Sequence, residues 1–215
     1  MQRINPAREA QINALITELS GKFGIKPAIK LNGLVPLYNN RHYAALVREI
    51  RNSFGLNHLK VSIQYPERMK NPQTMAMIEK HGLISPIAAF PITKPAVTLY
   101  LSMTRLRHAS FSNVVRTLAH ELAHPMLWAE HHALKDSEFA VDITAMLFGY
   151  HHVFAEAHSD EEMLTQYGFP DMPELAGMKS MLARETNEEQ ELRNPAYLTS
   201  AEIRYTAEVI RRCIM

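Results

Sequence analysis

The chain has 215 residues, of which 47% are hydrophobic and 21% charged, and 23 Lys+Arg against 22 Asp+Glu leave a formal net charge of +1. That balance excludes wholesale disorder, allows a core that stands without staples, and gives no electrostatic reason to expect nucleic acid or an anionic membrane as a partner. The single cysteine, Cys213, excludes an intrachain disulfide, which fits a reducing compartment.

Residues 8–23 repeat Ile12, Leu15, Ile16, Leu19 and Phe23 at helical spacing, with Gly21 and Gly24 at the end. Pro27, Gly33 and Pro36 break any long element over 25–40. A second helix is predicted over 41–53, with Tyr43, Leu46, Val47 and Ile50 on one face. Residues 59–65 alternate apolar and polar side chains like a half-buried strand. The stretch 66–95 is proline-rich, with a short helix expected around Met75–Glu79. Residues 96–103 form the best strand, placing Val97, Leu99 and Leu101 on one face. Strong helices follow over 110–128, capped by Ser110 or Ser112, and over 136–156, capped by Asp136 or Ser137. Residues 159–193 are acidic and broken by Gly168, Pro170, Pro173 and Gly177. The last helix, 200–213, starts at a capping box, Thr199-x-x-Glu202. The pattern implies one α+β domain over residues 1–215, mainly helical with a small sheet.

The N-terminal residues contain no continuous apolar segment and no small-residue cleavage site. The most apolar long stretch, Gly82–Met103, is interrupted by Pro86, Pro91, Lys94 and Pro95, too often for a spanning helix. A cytoplasmic protein is the expectation, with export by a route that needs no N-terminal signal as its alternative.

The chemistry-bearing pattern is His120-Glu121-Leu122-Ala123-His124. Four residues make about one helical turn, so both imidazoles project from one face and can grip one zinc ion. Glu121 lies beside them and can take a proton from a metal-activated water without being a ligand. The flanking Val114, Val115, Leu118, Leu122, Met126 and Leu127 make this helix apolar, as suits a buried active-site floor. A catalytic zinc takes three protein ligands and keeps a fourth position open. Glu138, near the start of the next helix, offers a third, after a connection (128–136) long enough for that helix to fold back. Asp142, one turn later, can accept from the free ring nitrogen of a ligating histidine. Glu130, His131, His132 and Asp136 are rivals for the third position.

HELAH followed by EFAVD resembles the gluzincin group of zincin metallopeptidases, whose pattern is HExxH with a downstream ExxxD or ExxxN. The resemblance covers roughly residues 96–150. It implies a zincin-like α+β fold, with a small mixed sheet whose edge strand borders the active-site helix. It also implies one Zn2+ per chain on His120, His124 and Glu138, Glu121 as general base, Asp142 as support for a ligand, and a peptide or protein substrate. The strand at 96–103 would be the edge that pairs with an extended substrate. The metzincin extension is absent, since Leu127 and Glu130 stand where its glycine and third histidine would be. Pro125, directly after the second histidine, departs from a smooth helix and predicts a kink or an end near His124.

Blander readings accompany each residue. The histidines can sit on a core helix by accident. Glu121 can pair with Arg116, and Glu138 can be a first-turn carboxylate favoured by the helix dipole. The doublets His131-His132 and His151-His152 are expected to be mostly solvated. Tyr150, Tyr167, Tyr197, Tyr205 or one of those histidines would donate to the oxyanion of an attacked carbonyl. The competing functional reading is a zincin-like metal-binding module that hydrolyses nothing and acts in protein interaction or regulation.

Overall fold

The structure, a computed structural model, describes residues 4–69, 74–81, 97–157 and 197–214. The acidic stretch 159–193 and Tyr167 lie outside them. Helix α1 (Pro6–Phe23) starts at Asn5, whose side chain accepts from the Ala7 N–H, and buries Ile12, Ile16 and Leu19. A single 3-10 turn (Leu31–Gly33) and short α2 (Val35–Asn39, with Pro36 in its first turn) lead to α3 (Tyr43–Ser53). Helix α3 buries Tyr43, Leu46, Val47 and Ile50, the face the periodicity predicts.

Three strands form one sheet, β1 (Val61–Gln64), β2 (Ala76–Lys80) and β3 (Val97–Leu101), in the order β1-β3-β2. β1 runs parallel to β3, and β2 runs antiparallel to it with Ile78 opposite Leu99. Two expectations are corrected here. Residues 76–80 are a strand, not part of a helix around Met75–Glu79. Ala, Met, Glu and Lys favour helices intrinsically, but pairing along the length of β3 outweighs that weak preference. β3 is the central strand, not the edge, and Thr98 is buried along with Val97, Leu99 and Leu101. Among the described residues, the edge beside the motif helix is β2.

Ser102 follows β3 and caps a short helix, α4 (Met103–His108), absent from the predicted elements. Ser110 then caps α5 (Phe111–Ala129). Pro125 does not end α5, which runs four residues past it. Leu122, Ala123, Pro125 and Leu127 are all buried, so packing on both sides of the proline holds the last turn. Ser137 caps α6 (Glu138–Ala145), which passes into a π turn (Met146–Tyr150) and then into helical residues 151–157. The single helix expected over 136–156 is therefore interrupted. Gly149 adopts φ +96°, and a Cβ there would lie 2.3 Å from the Pro27 carbonyl oxygen. Residues 26–29 press into that turn: the Lys26 N–H donates to Leu147 O and the Ile29 N–H to Gly149 O. The interruption comes from a distant segment, which local periodicity cannot see.

The C-terminal helix α7 (Ser200–Ile214) begins with the predicted capping box. The Thr199 N–H donates to Glu202 Oε2 at 2.8 Å, and the Glu202 N–H to Thr199 Oγ1 at 3.3 Å. Glu202 also takes Arg8 Nε at 2.6 Å, tying α7 to α1, and the Arg8 guanidinium lies 4.1 Å from the Phe139 ring centre. Helix α5 packs against α3, α6 and β2. The motif is thus enclosed between helices on one side and the sheet edge on the other. No helix among the described residues is long and apolar enough to cross a membrane.

Candidate metal centre

Helices α5 and α6 lie side by side and bring the motif halves together. His120 and His124 sit one turn apart on α5, and Glu138 is the first residue of α6. One ligand atom from each of the three lies within 4.8 Å of the others, so the cluster can hold a metal ion. His120 Nε2 is 2.9 Å and His124 Nε2 3.6 Å from Glu138 Oε2. The opposite nitrogen of His120, Nδ1, donates to Asp142 Oδ1 at 2.8 Å. Asp142 is only 2% exposed, and its other oxygen, Oδ2, is buried without a partner among the described residues. Two imidazoles and one carboxylate converge, one ring braced from behind, which fits a metal ligand set.

The electrostatics follow from this packing. Burial opposes a charge on His120, but its hydrogen bonds to Asp142 and Glu138 outweigh it and push the pKa up to about 10. His124 goes the other way, to about 4, through burial first and the neighbouring His120 charge second. The bond from His120 lowers Glu138. Burial raises Glu121 above the usual carboxylate range, against the pull of the His120 charge and of the Ile78 backbone N–H that reaches its carboxylate. Glu121 therefore faces β2 and not Arg116, whose guanidinium lies over the Phe154 ring.

The β2–β3 register explains why Ile78 is available. Antiparallel pairs alternate between bonded and unbonded, and the Ser102 N–H donates to Met75 O. Ala76, Ile78 and Lys80 then turn their backbone groups away from β3, toward the side of β2 that no other described strand pairs with.

Of the described tyrosines, Tyr197 is the one the fold brings here. Its ring centre is 6.0 Å from that of His120, and its hydroxyl bonds to Glu138. Burial, then the surrounding carboxylates, push it up to about 12. Tyr150 is fully buried and paired with Ser53 Oγ at 2.6 Å, while Tyr205 is paired with Asn13. The rival third ligands are not part of the cluster: Glu130 pairs with Lys22 and His132 with Glu18, each at 3.2 Å, and His131 and Asp136 are exposed. The doublets are not mostly solvated, since His132 and His151 are buried. His132 lies in the connection between α5 and α6, and His151 in the helical residues that follow the π turn.

Two neighbours of the cluster, Ile78 and Trp128, are not among the residues predicted from the sequence. Ile78 has no side-chain signal, because only its backbone takes part. Trp128, whose ring stacks on His124, had one: it stands four residues after that histidine.

No family model, no curated protein and no solved structure matches this chain. The gluzincin resemblance rests on the motif residues themselves.

Proposed function

We propose that this chain is a zinc-dependent hydrolase with a zincin-like site, acting on peptide bonds. The observation that carries the reading is the convergence of His120 Nε2, His124 Nε2 and Glu138 Oε2 beside a carboxylate, Glu121, that is not needed to complete the triad. A donor set of two imidazoles and one carboxylate suits zinc. When bound, zinc supplies Lewis-acid activation of a water and of the scissile carbonyl.

The protein's own groups supply the rest. Glu121, held by the Ile78 N–H, takes the proton of the attacking water and passes it to the leaving nitrogen. Burial, which raises its pKa, makes it a stronger base for the first of these transfers. Asp142 keeps His120 in the tautomer that leaves Nε2 free to ligate. The Tyr197 hydroxyl, beside His120 and Glu138, is the donor for the developing oxyanion. The outward backbone groups of Ala76 and Lys80 on β2 offer an extended peptide a strand to pair with, the role the gluzincin resemblance implies for the strand at 96–103.

The test is metal content together with hydrolysis. Purified wild type is expected to carry about one zinc per chain, and Glu138→Ala much less. Glu121→Gln is expected to keep the metal and lose cleavage of a peptide library. A wild type that binds no metal after zinc is added back sinks the reading.

One observation favours the alternative of a metal-binding module without catalysis. Glu121 is only 9% exposed and its carboxylate already engages the β2 backbone, as a structural residue would. In that case Glu121→Gln leaves function unchanged and lowers stability instead.

A further inference from the structure

The two imidazoles of the cluster are held in different ways. His120 is fixed through its edge, Nδ1 on Asp142 at 2.8 Å. His124 Nδ1 is buried and has no acceptor among the described residues. A histidine that ligates through Nε2 carries its proton on Nδ1. In metal sites that proton almost always goes to a carboxylate, a carbonyl or water, which sets the ring's orientation. His124 has instead the face of Trp128, inclined by 27° with ring centres 5.4 Å apart. Helical spacing puts residue 128 over residue 124, and Trp128 is itself seated against the hydrophobic core.

We infer that Trp128 is a positioning residue for the metal centre, holding the His124 ring by its face where no hydrogen bond holds it by its edge. The inference rests on the metal reading above. Pro125 shows why such a contact is needed. Proline biases the preceding residue, His124, away from helical geometry, and it cannot donate to the Glu121 carbonyl. His124 thus stands where α5 is least restrained by its own backbone. The stack spans that point and joins the turns on either side. The centre then has one firmly clasped imidazole and one that is oriented by packing.

The test uses the full chain with Co2+ and Zn2+ as probes, comparing wild type with Trp128→Leu and Trp128→Phe. Leucine keeps apolar bulk and loses the ring, whereas phenylalanine keeps a ring. Trp128→Leu is expected to bind both ions about tenfold more weakly and to change the visible absorption of bound Co2+. Trp128→Phe is expected to restore most of both. Because Trp128 is the single tryptophan of the chain, wild-type fluorescence should also change as Zn2+ binds, whether or not either variant folds. Wild-type affinity and an unaltered Co2+ spectrum in Trp128→Leu overturn the inference, as does wild-type fluorescence that ignores bound Zn2+. Equal loss in both variants with an unaltered spectrum overturns it too, since that marks general packing. Failure of the wild type to bind either ion overturns the metal reading itself.

Discussion

Helices α5 and α6 each carry half of the candidate centre and answer opposite stresses. α5 has a proline in its interior and keeps its helix to Ala129. α6 has no proline, yet gives way to a π turn after Ala145. The sequence alone predicts a kink or an end near His124 within the first helix and an unbroken second helix over 136–156. The difference lies in what surrounds each helix. Around Pro125 the neighbours Leu122, Ala123 and Leu127 are buried, and the tertiary contacts of that turn offset one missing hydrogen bond. At Gly149 a foreign segment takes the helix's own carbonyls: Lys26 and Ile29 donate into Leu147 and Gly149. Helix continuity here is decided by the neighbours more than by the residues in line.

Gly149→Ala should break the comparison most. The new Cβ would meet the Pro27 carbonyl oxygen at 2.3 Å in a backbone with φ +96°. We expect a loss of about 2–4 kcal/mol, read as a fall in Tm of about 5–15 °C. Metal content should survive, because Glu138 and Asp142 precede the π turn. A Tm near wild type would mean that residues 26–29 yield easily and do not impose the turn.

Asp142→Ala acts where the two helices meet. It leaves His120 Nδ1 without the acceptor it now has at 2.8 Å. Zinc affinity measured by chelator competition should fall about 10–100-fold. An unchanged affinity would show that α5 alone orients His120.

Pro125→Ala probes the other side. It gives residue 125 an N–H for the Glu121 carbonyl and removes a buried ring. The net expectation is a gain of about 1 kcal/mol, seen as a modest rise in Tm. A fall would show that the ring's packing contributes more than its missing bond costs.

The same contrast explains what could be read from the sequence. The α3 face was legible because Tyr43, Leu46, Val47 and Ile50 follow a period that one buried side imposes. His120 and His124 were legible because helical spacing alone puts them together. Glu138 and Asp142 needed only one more assumption, that the second helix folds back. β2 was not legible, since Ala76–Lys80 becomes a strand only by lying against β3. Nor could spacing choose among the tyrosines. Tyr197 reaches the cluster because α7 packs near α1 and the π turn, far along the chain from α5.

The smallest effects come from the caps, and they separate the two helices most cleanly. Ser110 Oγ accepts from the Asn113 N–H at 3.3 Å, and Ser137 Oγ from the Ala140 N–H at 3.4 Å. The two caps are nearly alike, so Ser110→Ala and Ser137→Ala should each cost about 0.5–1 kcal/mol in thermal melts. Metal affinity should not respond equally. Glu138 is the first residue of α6, so fraying of that turn moves a ligand directly. His120 lies about three turns into α5, beyond the reach of a frayed start. Ser137→Ala should therefore weaken zinc binding several-fold, and Ser110→Ala should leave it at the wild-type value. Equal loss from both would mean that the centre depends on the stability of the whole fold and not on the local order of the helix that presents each ligand.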